Sequence, residues 1–184
     1  MPSAISNIPL TGLFIFLTLL PVQLFAASAE ELEITVDATI DIFNERIKGG
    51  REFLERSKGV LVFPNIVKAG FIVGGEYGEG AMRIRGRTVD YYRTAGASFG
   101  FQFGAQTKSL ILVFLEDDAL NEFRNSAGWE AGVDGSIAVA DIGTGGSIDT
   151  TNYSEPIIAF VFGNKGLMLN ITLEGTKYTR IQKD

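Results

Sequence analysis

The chain has neither cysteine nor histidine among its 184 residues, and each absence removes a block of chemistry. Without Cys there is no disulfide framework, no thiolate nucleophile and no acceptor for a lipoprotein-type acyl anchor, so an exported chain must rely on its core. Without His the commonest general base is missing, and with both absent so are Ser-His and Cys-His catalysis and nearly every zinc or haem site. Positive charge is in short supply as well. Sixteen Lys and Arg face 22 Asp and Glu for a net charge of −6, which opposes non-specific binding of nucleic acid.

Near the N-terminus, the apolar run Leu10 to Leu20 is too short for an ordinary membrane span, and Ala27-Ser28-Ala29 follows it as a small-residue cleavage site. Residues 1–29 therefore read as an export signal, although no Lys or Arg precedes the run and an uncleaved anchor is the alternative. The roughly 155 residues from Glu30 onward suit one domain with a real hydrophobic core. The expectation is a single domain over 30–184, exported and periplasmic or secreted, with association at a membrane.

What is present is patterned. Leu32, Val36, Ile40, Phe43 and Ile47 recur at three- and four-residue intervals, which predicts an amphipathic helix ended by Gly49-Gly50. Its polar face is acidic, with Glu31, Glu33, Asp37, Asp41 and Glu45, so packing against the protein is favoured over lying on anionic lipid. A short helix over 52–57 follows, with Gly59 as a left-handed cap. From there the pattern turns to strand: an apolar strand broken at Pro64, then Phe99, Phe101 and Phe103 in alternation, and later Leu167, Leu169, Ile171 and Leu173. LILVFL at 110–115 and IIAFVF at 157–162 are apolar throughout and predict central strands covered on both sides. Between them a helix over 118–124 is capped by Asp117 or Asp118.

Glycine is abundant, at 22 of 184 residues, and several glycines fall at strand positions: Gly74, Gly75, Gly100, Gly104, Gly132 and Gly135. Glycine weakens a strand unless curvature or close backbone approach demands it. The predicted fold is α+β: a strongly curved, mainly antiparallel, Gly-rich sheet closing toward a barrel, with N-terminal helices and one internal helix.

Charge is uneven. Residues 81–93 hold Arg83, Arg85, Arg87 and Arg93 against a single Asp90. A turn at Gly86-Arg87 would pair Arg83 with Asp90, Ile84 with Val89 and Met82 with Tyr91. Such a tip meets lipid headgroups through charge-assisted hydrogen bonds, or is a solvated hairpin with one ion pair. Lys68, between Val67 and Ala69-Gly70-Phe71, is a headgroup ligand or a side chain that snorkels to water. Glu76 and Glu79 read as solvated loop acids. Asp134, Asp141 and Asp149 superficially suit calcium but lack the EF-hand spacing. The GTGG at 143–146 lacks the Lys-Ser/Thr of a phosphate loop. Asn152 and Asn170 head tripeptides of the glycosylation type, which arise often by chance.

The ordered segments KGVLVFPNIVKAGF, GGEYGEGAM, YYRTAGASFGFQFGAQ, LILVFLEDDALNEFR, GWEAGVDGSIAVADIGTGG and KGLMLNITLEGTKYTRI resemble the SYLF domain family, in its exported bacterial branch. The resemblance implies phospholipid binding and places Lys68 at the Lys of the family's KAGF motif, while the residues themselves offer no catalytic, cofactor or metal motif. Phosphoinositide binding and actin association attach to eukaryotic members, whose basic lead helix this acidic one does not match; actin is not expected as a partner here. The leading expectation is a peripheral phospholipid-binding protein that uses Lys68, Arg83, Arg85, Arg87 and Arg93 at a membrane surface. A periplasmic protein-interaction domain and a small outer-membrane β-barrel are the alternatives.

Overall fold

At Ser28 a capping box opens helix α1, Ala29–Arg46: the Ser28 Oγ accepts from Glu31 N while the Glu31 carboxylate accepts from Ser28 N. The computed structural model describes residues 28–100, 106–140, 154–163, 166–167 and 173–183; the apolar run at 10–20 lies outside them. Along α1, Leu32, Val36 and Phe43 are buried, as is Ile47 just beyond its end, whereas Ile40 is half-buried. Thr39 joins the buried face because its hydroxyl donates to Thr35 O at 2.8 Å. Gly49, at φ +77°, turns the chain into helix α2, Gly50–Arg56. A Cβ at Gly50 would sit 2.9 Å from Phe43 Cε1, so the two helices meet where only a hydrogen fits. Gly59 is not the cap the sequence suggests. Helix α2 ends at Ser57, whose Oγ donates to Leu54 O at 2.6 Å, and Gly59 begins a strand.

That strand, β1, runs without interruption over Gly59–Ile84. Pro64 does not break it. The register against β3, Gln106–Phe114, slips between Phe63 and Ile66, and Ser109 Oγ donates to Pro64 O at 2.6 Å, so the proline is accommodated as a bulge. The first arm of β1 pairs with β3 and the second with β2, Arg87–Gly100. Between them the strand curls until its arms meet. A Cβ at Gly80 would collide with the Val62 carbonyl oxygen, and one at Gly78 would lie 2.8 Å from Asn65 O. The curvature therefore depends on two glycines the pattern reading did not single out. Gly74, Gly75 and Gly100 do lie in strands, whereas Gly132 sits in a turn at φ +83° and Gly135 forms an isolated bridge to Ala131.

The remaining strands are β4 Trp129–Glu130, β5 Ala138–Val139, β6 Ile157–Gly163, β7 Gly166–Leu167 and β8 Lys177–Ile181. The sheet order is β4-β8-β2-β1-β3-β6-β5, with β7 beside β6, and every pairing except β5 with β6 is antiparallel. This is the α+β, curled half-barrel architecture that the glycine content anticipates. The internal helix α3, Asp117–Asn125, has Glu116 rather than an aspartate at its N-cap, with no side-chain capping bond.

Alternate residues of β3 and β6 serve two cores, which is why both runs are apolar throughout. Leu110, Leu112, Phe114, Ala159 and Val161 face the concave side, while Ile111, Val113, Ile158, Phe160 and Phe162 face α1 and α2. On the concave side Phe123 of α3 stands 5.0–5.8 Å from the rings of Phe114, Tyr92, Trp129 and Tyr178. On the helix-covered side Phe43 meets Phe160 edge-on at 4.9 Å. The strands expected through Phe101 and Phe103 and through Leu169, Ile171 and their neighbours fall outside the described residues.

Candidate functional site

The basic hairpin forms, one residue earlier than the sequence suggests. Its turn is Arg85-Gly86, with φ of +52° and +75°, the doubly left-handed conformation of a tight hairpin turn. Ile84 faces Arg87, Arg83 faces Thr88, and a bulge after Met82 brings Met82 opposite Asp90. The expected Arg83–Asp90 pair therefore does not exist. Asp90 instead accepts from Arg124 Nε at 2.8 Å and Arg180 Nη1 at 3.4 Å.

Arg83 is drawn inward. Its Nη2 lies 2.6 Å from both Glu33 Oε2 and Asp37 Oδ1 of α1, and its side chain is only 14% exposed. Glu33 also accepts from Thr88 Oγ1 at 3.0 Å and from Tyr91 Oη at 2.8 Å. Burial, then the hydrogen bond to Glu33 and that carboxylate's charge, raise the Tyr91 phenol above its ordinary value. The acidic stripe of α1 thus has an internal use: it clamps the helix to the hairpin. Arg83 Nε, on the same guanidinium, is buried with no hydrogen-bond partner among the described residues.

Arg85 and Arg87 occupy the exposed tip, and neither forms an ion pair among the described residues. Val89, 42% exposed, lies beside them. Arg93 is exposed farther along β2, opposite Glu79. Lys68 is half-buried opposite Gln106. It does not join Arg85 and Arg87 at the tip. Gly59, which sits against Met82 near the tip, is separated from Lys68 by a strand length of roughly 30 Å at the usual rise. Glu76 and Glu79 are not solvated loop acids: Lys108 Nζ holds Glu76 at 2.6 Å and Lys183 Nζ holds Glu79 at 2.6 Å, all with little exposure. Tyr77 Oη donates to Glu79 at 2.8 Å, and burial followed by that bond pushes its phenol up to about 12.

A cleft of about 320 Å³ opens between α1, α2 and the Arg85-Gly86 turn. Ile40, Leu54 and Val60 form its apolar wall, and Asp37, Glu55, Arg83 and Arg85 contribute charge. A second cleft of about 330 Å³ on the other flank of α2 holds Lys48, Arg56, Glu52 and Phe53. The sequence reading missed both, because the cations of α2 alternate with Glu45, Glu52 and Glu55 and show no net excess to the eye. Among the described residues no group of acids is placed to hold a metal ion. Asp134 accepts from Glu130 N at 2.7 Å; Asp141, Asp149, residues 143–146, Asn152 and Asn170 lie outside the described residues.

No curated protein matches the chain. A family profile described as Ysc84, Las17-binding protein actin regulator, matches residues 95–184. The match begins within β2 and takes in β3, α3 and the strands after it, while the cleft and the hairpin tip precede it. Residues 95–184 of this chain thus match the Ysc84, or SYLF, domain family.

Proposed function

We propose that the protein is a non-enzymatic, peripheral phospholipid-binding protein of the bacterial envelope, which meets anionic headgroups first through Arg85 and Arg87. The observation that carries this reading is the contrast at the hairpin. Arg83, Arg124 and Arg180 around it are all engaged by carboxylates, whereas the two arginines at the tip stand in solvent on a tight turn beside exposed Val89. Each such cation contributes about 1 kcal/mol near an anionic surface, and Val89 offers an apolar contact. Arg93 and Lys68 are secondary cations, placed away from the tip, and Arg83 serves the clamp instead.

The outer-membrane barrel is disfavoured because the face of β3 and β6 that would turn to lipid is packed against α1 and α2. Among the described residues no helix is long and apolar enough to cross a membrane. Actin remains outside the proposal, since an exported chain does not meet it.

The test is co-sedimentation with vesicles of anionic or neutral phospholipid at two salt concentrations. Arg85→Asn combined with Arg87→Ala removes both charges at little cost to the fold, because Asn tolerates positive φ better than Arg. Binding to anionic vesicles is expected to fall at least tenfold and to weaken with salt. Equal pelleting with neutral vesicles, unchanged by the double substitution, would refute the mechanism.

A further inference from the structure

The cleft between α1, α2 and the hairpin turn combines three features that the clamp leaves unexplained. Among the described residues Arg83 Nε is a buried donor without a partner, although Nη2 of the same guanidinium serves two carboxylates. A buried N–H left unpaired is costly, and an oxygen brought into the cleft removes that cost. Arg85 and Glu55 line the same cleft with opposite charges, and neither forms an ion pair among the described residues. Ile40, Leu54 and Val60 then supply an apolar wall beside these charges.

The charges decide which ligand suits. Two arginines and two carboxylates balance within the cleft, so a ligand of net negative charge would meet Asp37 and Glu55 as well as the guanidinium groups. A net-neutral ligand carrying both signs does not face that repulsion. At about 320 Å³ the cleft lies at the lower end of the roughly 300–1,000 Å³ typical of ligand pockets. That is room for a headgroup and the start of one chain. We propose that it holds a zwitterionic, phosphoethanolamine-type amphiphile: phosphate oxygens at Arg83 Nε and Arg85, the ammonium at Glu55, and the first part of an alkyl chain on Ile40, Leu54 and Val60. This deepens the lipid-binding reading and rests on it. The exposed tip makes the electrostatic contact with the anionic bilayer, and the cleft beside it selects a single net-neutral molecule.

Calorimetric titration of the full chain with short-chain lysophosphatidylethanolamine, kept below its micelle concentration, tests this directly. The comparison ligands are lysophosphatidic acid of the same chain length, which lacks the ammonium, and phosphoethanolamine, which lacks the chain. The zwitterionic amphiphile is expected to bind at least tenfold more tightly than either. Glu55→Gln, at an exposed position, should lose about tenfold for the zwitterion and bind lysophosphatidic acid as tightly as wild type or more tightly. Arg83→Lys keeps one cation for Glu33 and Asp37 but lacks the Nε donor, and should weaken the zwitterion by a similar factor with unchanged circular dichroism. Equal affinity for lysophosphatidic acid, equal affinity of Glu55→Gln and wild type for the zwitterion, or no monomer binding would each overturn the proposal. Vesicle binding without monomer binding removes the cleft and keeps the tip; monomer binding without salt-sensitive vesicle binding does the reverse.

Discussion

The two faces of the sheet are built by different rules. The concave face is closed by aromatics around Phe123, and two of its phenols, Tyr92 Oη and Tyr178 Oη, are buried without a hydrogen-bond partner among the described residues. The other face is covered by α1 and α2, and there the apolar contacts of Phe43 and Phe160 are supplemented by a clamp in which Glu33 receives Arg83, Thr88 and Tyr91 together. Both faces add ion pairs to packing: on the concave side Asp90 receives Arg124 of α3 and Arg180 while Lys108 holds Glu76, and on the helix-covered side one guanidinium, Arg83, is shared by two carboxylates of α1. The difference teaches where function can reside. Among the described residues the buried arginine nitrogen without a partner, Arg83 Nε, lies on the helix-covered side, next to the hairpin tip.

The largest effect tests what both faces share. Gly80→Val should abolish soluble folded protein, because the added carbon meets the Val62 carbonyl and the Phe63 ring with nowhere to move; expression and circular dichroism check this, and a folded variant would show that the arms of β1 are not pressed together. Next come substitutions that separate the faces. Phe123→Ala and Phe160→Ala should each cost about 3–5 kcal/mol in denaturant unfolding. Only the first should alter the emission of Trp129, the sole tryptophan, which lies 5.3 Å from the Phe123 ring. Identical emission changes would mean that the two cores are one.

Smaller still is Glu33→Ala, which leaves the mostly buried Arg83 with Asp37 alone and strips Thr88 and Tyr91 of their acceptor. A loss of about 1–3 kcal/mol is expected, with faster proteolysis of α1 and unaltered Trp129 emission. The smallest effect is alkaline. Burial raises the phenols of Tyr92, to about 12, and of Tyr178 above the ordinary 10. A raised folded-state value means that the neutral phenol stabilises the fold. That contribution is complete below pH 10 and is lost as pH climbs from 10 through 12. Melting temperature and phenolate absorbance should both report it. Phenols that all titrate near 10 in the folded protein would show the concave face to be open to water.

Much of this architecture was legible in advance, and the reason differs by element. The face of α1 follows from a 3.6-residue period, and the two-sided burial of β3 and β6 follows from unbroken apolar runs, because both signals are local. Pro64 and Gly59 misled for a related reason. A proline reads as a break and a glycine as a cap only when the neighbouring strand is unknown; here β3 slips its register to accept the first, and the second simply begins β1. The hairpin was found, but its turn was misplaced by one residue because Arg85 adopts a left-handed conformation that its side chain does not advertise. The site suffered most. Four arginines looked equivalent as a string, yet Arg83 is clamped, Arg85 and Arg87 are free at the tip, and Arg93 lies along the strand.

By itself the sequence determined the chemical repertoire and the outline: no thiol or imidazole, an acidic balance, helices before a glycine-rich curved sheet, and cations gathered in one hairpin. Those properties are sums or periods, and a linear string contains them. Only the tertiary structure decided which cations remain available and where an apolar wall lies beside them. Glu33 and Asp37 are 46 or more residues from Arg83 in the chain, while Ile40, Leu54 and Val60 reach the same cleft from three different elements. Pairing and enclosure depend on distance in space, which the folding of β1 upon itself sets and no local pattern encodes.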